Sequence, residues 1–262
     1  MPEPSLLPVA AAAADGPEGA PVLVLGNSLG TSTAVWESQV AQFRRQFRLV
    51  RYDLPGHGGS PAVAGPYTVG GLGAGVLGLA DSLGVGQFAY CGISLGGMIG
   101  MWLAAAAPDR IVALGLVCTA AHLPPADGWR ARASQVRAAG MASVSPAVIG
   151  RWFTPGFAGR ASSVVSEFRA ELERTDPVGY AGCCEAIAEM DLRESLPGIT
   201  APTLVLAGSD DPATPPAHGA AIAGLVRGAR LDVVPAAHLA TVEAPDAVTG
   251  ALLAHLRAAT GR

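Results

Sequence analysis

The sequence predicts an α/β protein with a mostly parallel sheet, flanked by helices and interrupted by an all-helical insertion. Two observations indicate this class. Short apolar runs bounded by glycine or proline, typical of strands buried on both faces, alternate with stretches of helical periodicity. Such alternation favours crossover connections between parallel strands. Residues 122–196 then contain no strand-like run, although strand-like runs occur on either side of them.

The first half of the chain carries four of the predicted strands. They are expected where short apolar runs occur, at residues 21–26, 48–53, 88–91 and 111–119. Helices are predicted between them, at residues 36–47, at residues 67–83 and in the alanine-rich stretch that stops at Pro108. Each strand is thus followed by a helix or by a glycine-rich loop.

The strand pattern resumes late in the chain. Strands are predicted at residues 202–208 and 231–235, and a closing helix at residues 245–258. We therefore expect residues 1–121 and 197–262 to form the core domain and residues 122–196 to form a helical cap, or lid. Ligands of open α/β sheets bind at the carboxyl ends of the strands, so the cap is expected to cover that edge.

Composition excludes several functional classes. Half of the residues are apolar and 15% are charged, as in a globular protein. A net charge of −4 without basic runs argues against a nucleic-acid partner. Apolar stretches are interrupted well before the length of about 18 residues that a membrane span requires. No basic residue precedes the apolar residues 5–14, so we expect no signal peptide and a cytoplasmic location.

The cysteines indicate neither a disulfide framework nor a metal site. Their positions lack the spacing of metal ligands, and two of them fall in predicted core strands: Cys91, Cys118, Cys183 and Cys184. We expect reduced thiols, no metal and no cofactor.

Residues 88–106 carry the principal functional motif. A β-prone run leads directly into Gly-Ile-Ser-Leu-Gly at residues 92–96, and a helix-favouring stretch follows. Strand, sharp turn and helix with serine at the turn form the context of a nucleophile elbow, with Ser94 as the nucleophile. Gly92 and Gly96 leave the space that such a tight turn requires.

A serine nucleophile needs an imidazole and a carboxylate that orients it, in the chain order serine, acid, histidine for this architecture. His238 directly follows the predicted strand 231–235, whereas His218 and His255 fall in helical segments, and His57 in a glycine turn is expected to be structural. Two acids follow strand 202–208. We favour Asp211 over Asp210 as the triad acid, because Asp211 lies within the turn before the next helix.

The oxyanion of the reaction requires two preorganised N–H donors. One is expected from Leu95, which follows the nucleophile, and one from the loop after the first buried strand, where Leu29 is the favoured residue. The sequence thus predicts a serine hydrolase.

Over nearly its whole length the chain resembles the α/β-hydrolase family, and within it the 3-oxoadipate enol-lactonases. The motifs that carry this resemblance are Asn-Ser-Leu-Gly-Thr at 27–31, Gly-Ile-Ser-Leu-Gly-Gly-Met at 92–98, segments 129–132, 151–154 and 179–184, the Asp211–Pro215 turn and Ala-His-Leu at 237–239. The resemblance implies an α/β-hydrolase fold and hydrolysis of 3-oxoadipate enol-lactone through an acyl-enzyme, in the β-ketoadipate pathway of aromatic degradation.

The implied substrate carries a free carboxylate, which an apolar cap could not hold without a cation or aligned donors. The candidates are Arg132 and Arg130, next to Trp129, with Arg151 as the third. Asn27, Ser28, Trp129 and Trp152 are the other expected substrate-binding residues. We expect a small lactone or ester as the partner.

Two alternative functions remain open from the sequence. The first is another hydrolase on the same scaffold: a carboxylesterase, a C–C bond hydrolase or a cofactor-free perhydrolase. The second is a catalytically inactive ligand-binding protein of the same fold, against which the intact set of Ser94, Asp211 and His238 argues.

Overall fold

The computed structural model of the protein describes Leu7 and residues 9–261. The strands in this part of the chain are β1 (Ala10–Asp15), β2 (Val22–Gly26), β3 (Arg48–Asp53), β4 (Phe88–Ile93), β5 (Ile111–Val117), β6 (Thr203–Gly208) and β7 (Arg230–Val234). The α-helices are α1 (Glu37–Phe43), α2 (Val69–Ser82), α3 (Leu95–Ala106), α4 (Ala126–Ala139), α5 (Ser145–Trp152), α6 (Pro155–Arg160), α7 (Ser162–Arg174), α8 (Pro177–Glu189), α9 (Pro216–Leu225), α10 (Ala240–Glu243) and α11 (Pro245–Thr260).

The strands form one sheet in the order β1-β3-β2-β4-β5-β6-β7. Strands β2 to β7 are parallel to one another, and β1 is antiparallel to β3. Strand β4, which leads into the serine turn, lies in the middle of the sheet and is buried along its whole length. The predicted α/β class with a mostly parallel sheet is confirmed.

Strand β1 is not among the strands predicted from the sequence. Its run of alanines has a low intrinsic preference for strands. The strand instead forms by pairing with the edge of β3, with Ala11 opposite Tyr52 and Ala14 opposite Val50. It thereby covers an edge that would otherwise present unpaired backbone groups.

The first predicted helix is shorter in the structure. Residues Thr33–Trp36 form a 3-10 turn, and α1 then ends at Phe43, so Phe47 lies in the loop before β3. Helix α2 begins where Thr68 accepts a hydrogen bond from the Gly71 N–H at 2.9 Å, as an N-cap does. The Thr68 cap thus decides the start of α2, which periodicity alone places only approximately.

Helices α4 to α8 form the predicted all-helical insertion between β5 and β6. The two ends of the insertion meet: His122 and Asp191 form an isolated antiparallel bridge, and the Leu192 N–H donates to the Ala121 carbonyl at 2.9 Å. The insertion therefore leaves and rejoins the core at one place. None of the described helices combines the length and apolar character needed to cross a bilayer.

Candidate active site

Ser94 occupies the turn between β4 and α3, with φ of 55° and ψ of −117°. A positive φ is strained for a residue with a side chain. The turn is held by the Ser94 N–H, which donates to the Val117 carbonyl at 2.9 Å, and by the Thr119 hydroxyl, which donates to the Ser94 carbonyl at 2.7 Å. This geometry projects the Ser94 hydroxyl away from the sheet into the space below the cap.

Two glycines allow this turn. A Cβ at Gly92 would lie 2.2 Å from the Gly96 carbonyl oxygen, and a Cβ at Gly96 would lie 2.4 Å from the Gly26 carbonyl. Both contacts are with backbone, which cannot move aside. The close approach brings the start of α3 to the end of β2, where the Gly96 N–H donates to the Asn27 carbonyl at 2.9 Å.

Ser94, His238 and Asp211 form a continuous chain of hydrogen bonds. The His238 Nε2 atom lies 2.8 Å from the Ser94 Oγ, and the His238 Nδ1 atom lies 2.8 Å from the Asp211 Oδ2. Because a carboxylate only accepts hydrogen bonds, the proton of the neutral imidazole lies on Nδ1. Nε2 is then free to accept the serine proton.

Asp211 is held by its own turn. Its Oδ1 accepts from the N–H groups of Ala213 and Thr214 at 2.8 and 3.0 Å, and its Oδ2 accepts from the Thr214 hydroxyl at 2.7 Å. Burial raises the pKa of this carboxyl, but His238 and the donors of Thr214 outweigh burial, so the pKa lies below its ordinary value. Asp210 instead lies on the surface, where it accepts from the Ser209 hydroxyl at 2.6 Å.

The Leu29 and Leu95 N–H groups, the predicted oxyanion donors, lie in the loop after β2 and in the first turn of α3. Neither N–H has a hydrogen-bond acceptor among the residues that the structure describes. The first N–H groups of a helix have no partner within the helix, which leaves Leu95 available. Leu29 and Ser94 both line the cavity beneath the cap.

Asn27 was predicted to bind substrate, and here the structure differs. Its side-chain amide donates to the Tyr52 carbonyl at 2.7 Å, and Asn27 is absent from the cavity lining. The buried Asp53 carboxylate accepts from the Thr33 N–H at 2.9 Å in the same loop. The Asn27 side chain therefore supports the loop that carries Leu29, because its amide is turned towards the sheet.

The cap also holds this loop. Glu171 on α7 accepts a hydrogen bond from the Ser32 N–H. Gly30 has a φ of 84°, and a Cβ there would lie 2.6 Å from the Leu172 side chain on the same helix. Helix α7 thus packs directly against the loop that carries Leu29.

Ser94 and His238 open onto a cavity of about 440 Å³ between the sheet and the cap. Four of the six predicted substrate-binding residues line this cavity, Ser28, Trp129, Arg132 and Trp152, and so does Arg151, the third arginine candidate. Its remaining walls are largely apolar, with Met98, Val148 and Ile187 among them. A small molecule with one polar end matches such a space.

The charged groups in the cavity lining are Arg132 and Arg151. The Arg132 guanidinium lies 4.5 Å from the centre of the Trp129 ring, a cation–π contact. Burial and the charge of Arg132 lower the pKa of Arg151 below its ordinary value. Neither arginine has an ion pair among the described residues, so the cavity presents two positive charges without a bound counter-charge.

Arg130 does not line the cavity. Its guanidinium is exposed and pairs with Asp127 at 2.8 Å and with Glu189 at 2.6 Å. Residues two apart on an α-helix point about 200° away from each other, so Arg130 and Arg132 cannot face the same side. Trp129 and Arg132, three residues apart, do share the cavity face.

Two residues of the site, Thr214 and Tyr180, are not among the site residues predicted from the sequence. Thr214 supports Asp211, and the spacing Asp-Pro-Ala-Thr, typical of a side-chain-capped turn, could have indicated it. Tyr180 on α8 lines the cavity; burial raises the pKa of its hydroxyl, and the nearby charge of Arg132 opposes that rise. Tyr180 lies in segment 179–184, which carries part of the family resemblance, but the segment does not indicate that this side chain faces the cavity, because its orientation depends on the packing of α8 against the core.

His57 lies outside the cavity lining. It is fully buried, its Nδ1–H donates to the Pro55 carbonyl at 2.9 Å, and burial lowers its pKa to about 4. A neutral imidazole held by its own turn agrees with the structural role expected from the sequence.

The chain is similar to known proteins of one family. Residues 21–139 match the family model described as the alpha/beta hydrolase fold. The chain is 39% identical to 3-oxoadipate enol-lactonase 2 of Acinetobacter baylyi over 237 residues, which cover 90% of this chain and 89% of that protein. It is also 37% identical to 3-oxoadipate enol-lactonase 1 of the same organism over 88% of this chain and 87% of that protein.

Solved structures agree with the sequence relatives. The crystal structure of the enol-lactonase from Burkholderia xenovorans LB400 has a TM-score of 0.93 and 41% identity, covering 95% of this chain and 96% of that one. A hydrolase from Pseudomonas aeruginosa has a TM-score of 0.92 and 44% identity, covering 95% and 94%. The chain therefore belongs to the α/β-hydrolase family and is a carboxylic-ester hydrolase, as the resemblance implied.

Proposed function

We propose that this enzyme hydrolyses 3-oxoadipate enol-lactone to 3-oxoadipate, a ring-opening step of the β-ketoadipate pathway of aromatic degradation. The observation that carries the proposal is the hydrogen-bonded chain of Ser94, His238 and Asp211, which opens onto a cavity with two unpaired arginines. The names of the relatives at 37–39% identity support the same substrate.

In the proposed reaction, the Ser94 oxygen attacks the lactone carbonyl while His238 Nε2 takes the hydroxyl proton. The carbonyl oxygen becomes an oxyanion, and the N–H groups of Leu29 and Leu95 stabilise it. Collapse of this intermediate breaks the ring C–O bond and releases an enol oxygen, which receives the proton from His238. The opened chain remains bound to Ser94 as an acyl ester.

Water completes the cycle. His238 takes a proton from a water molecule, whose oxygen attacks the acyl ester, and the proton then returns to the Ser94 oxygen as the bond to carbon breaks. The product leaves as a carboxylate, and its enol tautomerises to the ketone. Asp211 holds the imidazole in the required tautomer and stabilises its protonated form.

The substrate carboxylate is assigned to Arg132 and Arg151. Both guanidiniums face the cavity, whereas Arg130 is engaged on the surface with Asp127 and Glu189. A charge-assisted hydrogen bond compensates for the desolvation of a carboxylate in an otherwise apolar cavity. Residues 122–196 act, in this proposal, as the cap that supplies both arginines and excludes water.

The decisive experiment follows the ultraviolet absorbance of the enol-lactone, with spontaneous hydrolysis subtracted. Wild-type protein should consume the lactone, and Ser94→Ala should lower kcat by about a million-fold, as loss of the nucleophile does in such triads. Ser134→Ala on the exposed side of α4 is the matched control and should retain wild-type activity.

Two of the alternative functions, a general esterase and a ligand-binding protein, have signatures of their own. Turnover of neutral aryl esters without turnover of the lactone would contradict the proposed substrate and indicate a general esterase. Failure of a fluorophosphonate to label Ser94 would indicate a ligand-binding protein without catalytic activity. Full lactonase activity in Ser94→Ala would contradict the proposed nucleophile.

A further inference from the structure

The loop that carries His238 is tied on both sides of the histidine. The N–H of Leu239 donates to the carbonyl of Trp152 at 3.0 Å, and Trp152 ends α5 in the cap. The N–H of Ala237 donates to the Glu243 Oε2 at 3.1 Å. The backbone on either side of the imidazole is therefore held by groups outside the loop itself.

The Glu243 carboxylate also reaches the cap. Its Oε2 accepts from the Thr154 N–H at 3.2 Å, and its Oε1 accepts from the Thr154 hydroxyl. The same Thr154 hydroxyl accepts from the Phe157 N–H at 3.1 Å and so begins α6. One side chain thus joins the histidine loop of the core to the segment between α5 and α6 of the cap.

Glu243 is 8% exposed, and it has no cationic partner among the described residues. A buried carboxylate is costly unless hydrogen bonds replace its hydration. Its donors are two backbone N–H groups and one hydroxyl, which are fixed in direction by the chain around them. The carboxylate consequently cannot shift without moving the cap segment, the histidine loop or both.

We propose that Glu243 is a positioning residue, which couples the placement of the cap to the placement of the His238 imidazole. The proposal rests on the triad roles given in the proposed function, and it is independent of the substrate. Because Trp152 lines the cavity and its carbonyl holds Leu239, the same cap segment contacts both the substrate space and the histidine loop. A displaced cap then displaces the general base.

Two substitutions distinguish the effect of the Glu243 hydrogen bonds from the effect of its negative charge. Glu243→Ala removes the acceptor and leaves the Ala237 and Thr154 N–H groups unpaired. Glu243→Gln keeps one oxygen for both N–H groups, and its amide can donate to the Thr154 hydroxyl, which has acceptor capacity left. The glutamine variant therefore preserves the linkage without the negative charge.

The experiment measures the rate of Ser94 labelling by a fluorophosphonate, together with kcat and KM for a neutral aryl ester, well below the unfolding temperature. Glu243→Ala should lower the labelling rate and kcat by roughly 10- to 100-fold with a smaller change in KM, since small misplacements of reacting groups can cost about 100-fold. Glu243→Gln should recover most of both rates. Glu167→Ala, exposed on α7, is the control and should match wild type.

If Glu243→Ala does not fold, Thr154→Val supplies a second test, because it removes the hydroxyl that donates to Glu243, and with it the cap of α6; Thr154→Ser retains both hydrogen bonds and should keep the wild-type rate. Thr154→Val should also lower the labelling rate, by a smaller factor than Glu243→Ala. Wild-type rates in folded Glu243→Ala, or an equal loss in Glu243→Gln, would overturn the proposal. Failure of wild-type protein to be labelled would instead overturn the triad roles.

Discussion

Ser94 and Cys118 are the non-glycine residues with positive φ in the described part of the chain, at 55° and 44°. They follow the neighbouring strands β4 and β5 at the edge of the sheet that faces the cap. Backbone strain persists only where the surrounding structure determines it fully, and it concentrates at functional sites. At Ser94 the hydrogen bonds to Val117 and Thr119 provide that support.

Arg132 should decide between charged and neutral substrates. We expect Arg132→Gln to lower kcat/KM for the enol-lactone by about 10- to 100-fold, because a hydrogen bond to a charged group contributes about 1.5–3 kcal/mol. Hydrolysis of a neutral aryl ester should change little. The measurement is kcat/KM on the enol-lactone and on the aryl ester, each for Arg132→Gln and for the wild type.

Arg130→Gln is the matched control for that measurement, since Arg130 lies two residues away on α4 but faces solvent. Its rates on both substrates should equal those of the wild type. Equal losses on lactone and ester in Arg132→Gln would remove Arg132 from carboxylate recognition.

Among the secondary-structure elements, β4 and α3 depend most strongly on close contact with a neighbour. The first turn of α3 lies against the end of β2, because Gly96 and Gly26 have no side chains between them. This contact places the Leu95 N–H beside the loop that carries Leu29. The glycines of the elbow therefore position the proposed oxyanion donors as well as Ser94.

Gly96→Ala should disrupt this contact. Its Cβ would lie 2.4 Å from the Gly26 carbonyl, and backbone on both sides prevents relaxation. We expect a lower unfolding temperature and a loss of fluorophosphonate labelling, or failure to fold. Differential scanning calorimetry and labelling of the purified variant measure the two effects.

Gly150→Ala is the control for this substitution. Gly150 lies on α5, where an added Cβ would meet no atom within 4 Å beyond its own helix, and alanine stabilises an open helical site by about 0.5–1 kcal/mol. Its unfolding temperature should rise slightly. Wild-type stability and labelling in Gly96→Ala would contradict the steric role of the elbow glycine.

In the molecule as a whole, the parallel sheet collects the ends of distant strands and the cap closes over them. The loops after β4, β6 and β7 supply Ser94, Asp211 and His238. The cap contacts the site from two directions, through Glu171 to the Ser32 N–H and through Trp152 and Thr154 to the histidine loop. Core and cap together form the active-site geometry.

The cysteines report on the integrity of this arrangement. All four are free and buried; burial raises the pKa of Cys91 and Cys184 to about 12 and that of Cys118 and Cys183 above its usual range. A thiol-specific disulfide reagent should react with none of them in the native protein and with all four in guanidinium chloride. The absorbance of the chromophore that the reagent releases, measured at neutral pH, gives the number of thiols that have reacted.

Cys183 and Cys184 lie on α8, so this measurement also reports opening of the cap. Bound lactone analogue should leave the native result unchanged. Rapid reaction of a native thiol would contradict the closed packing of cap against core.

The sequence by itself determined the α/β class, the serine turn and the order of serine, acid and histidine along the chain. Strand, tight turn and helix are local features, because they depend on apolar periodicity and on glycines where side chains do not fit. Parallel strands then bring their carboxyl ends to one edge, so residues after β4, β6 and β7 are expected to converge. The choice of Asp211 over Asp210 followed from its place within a turn.

Only the tertiary structure decided the remaining features. The alanine run of β1 becomes a strand by pairing with β3, and Arg132 rather than Arg130 reaches the cavity because α4 packs on α8 with one particular face inwards. Glu243 meets Thr154 across 89 residues of sequence. Long-range pairing and helix orientation depend on surfaces brought together by folding, which local residue patterns do not encode.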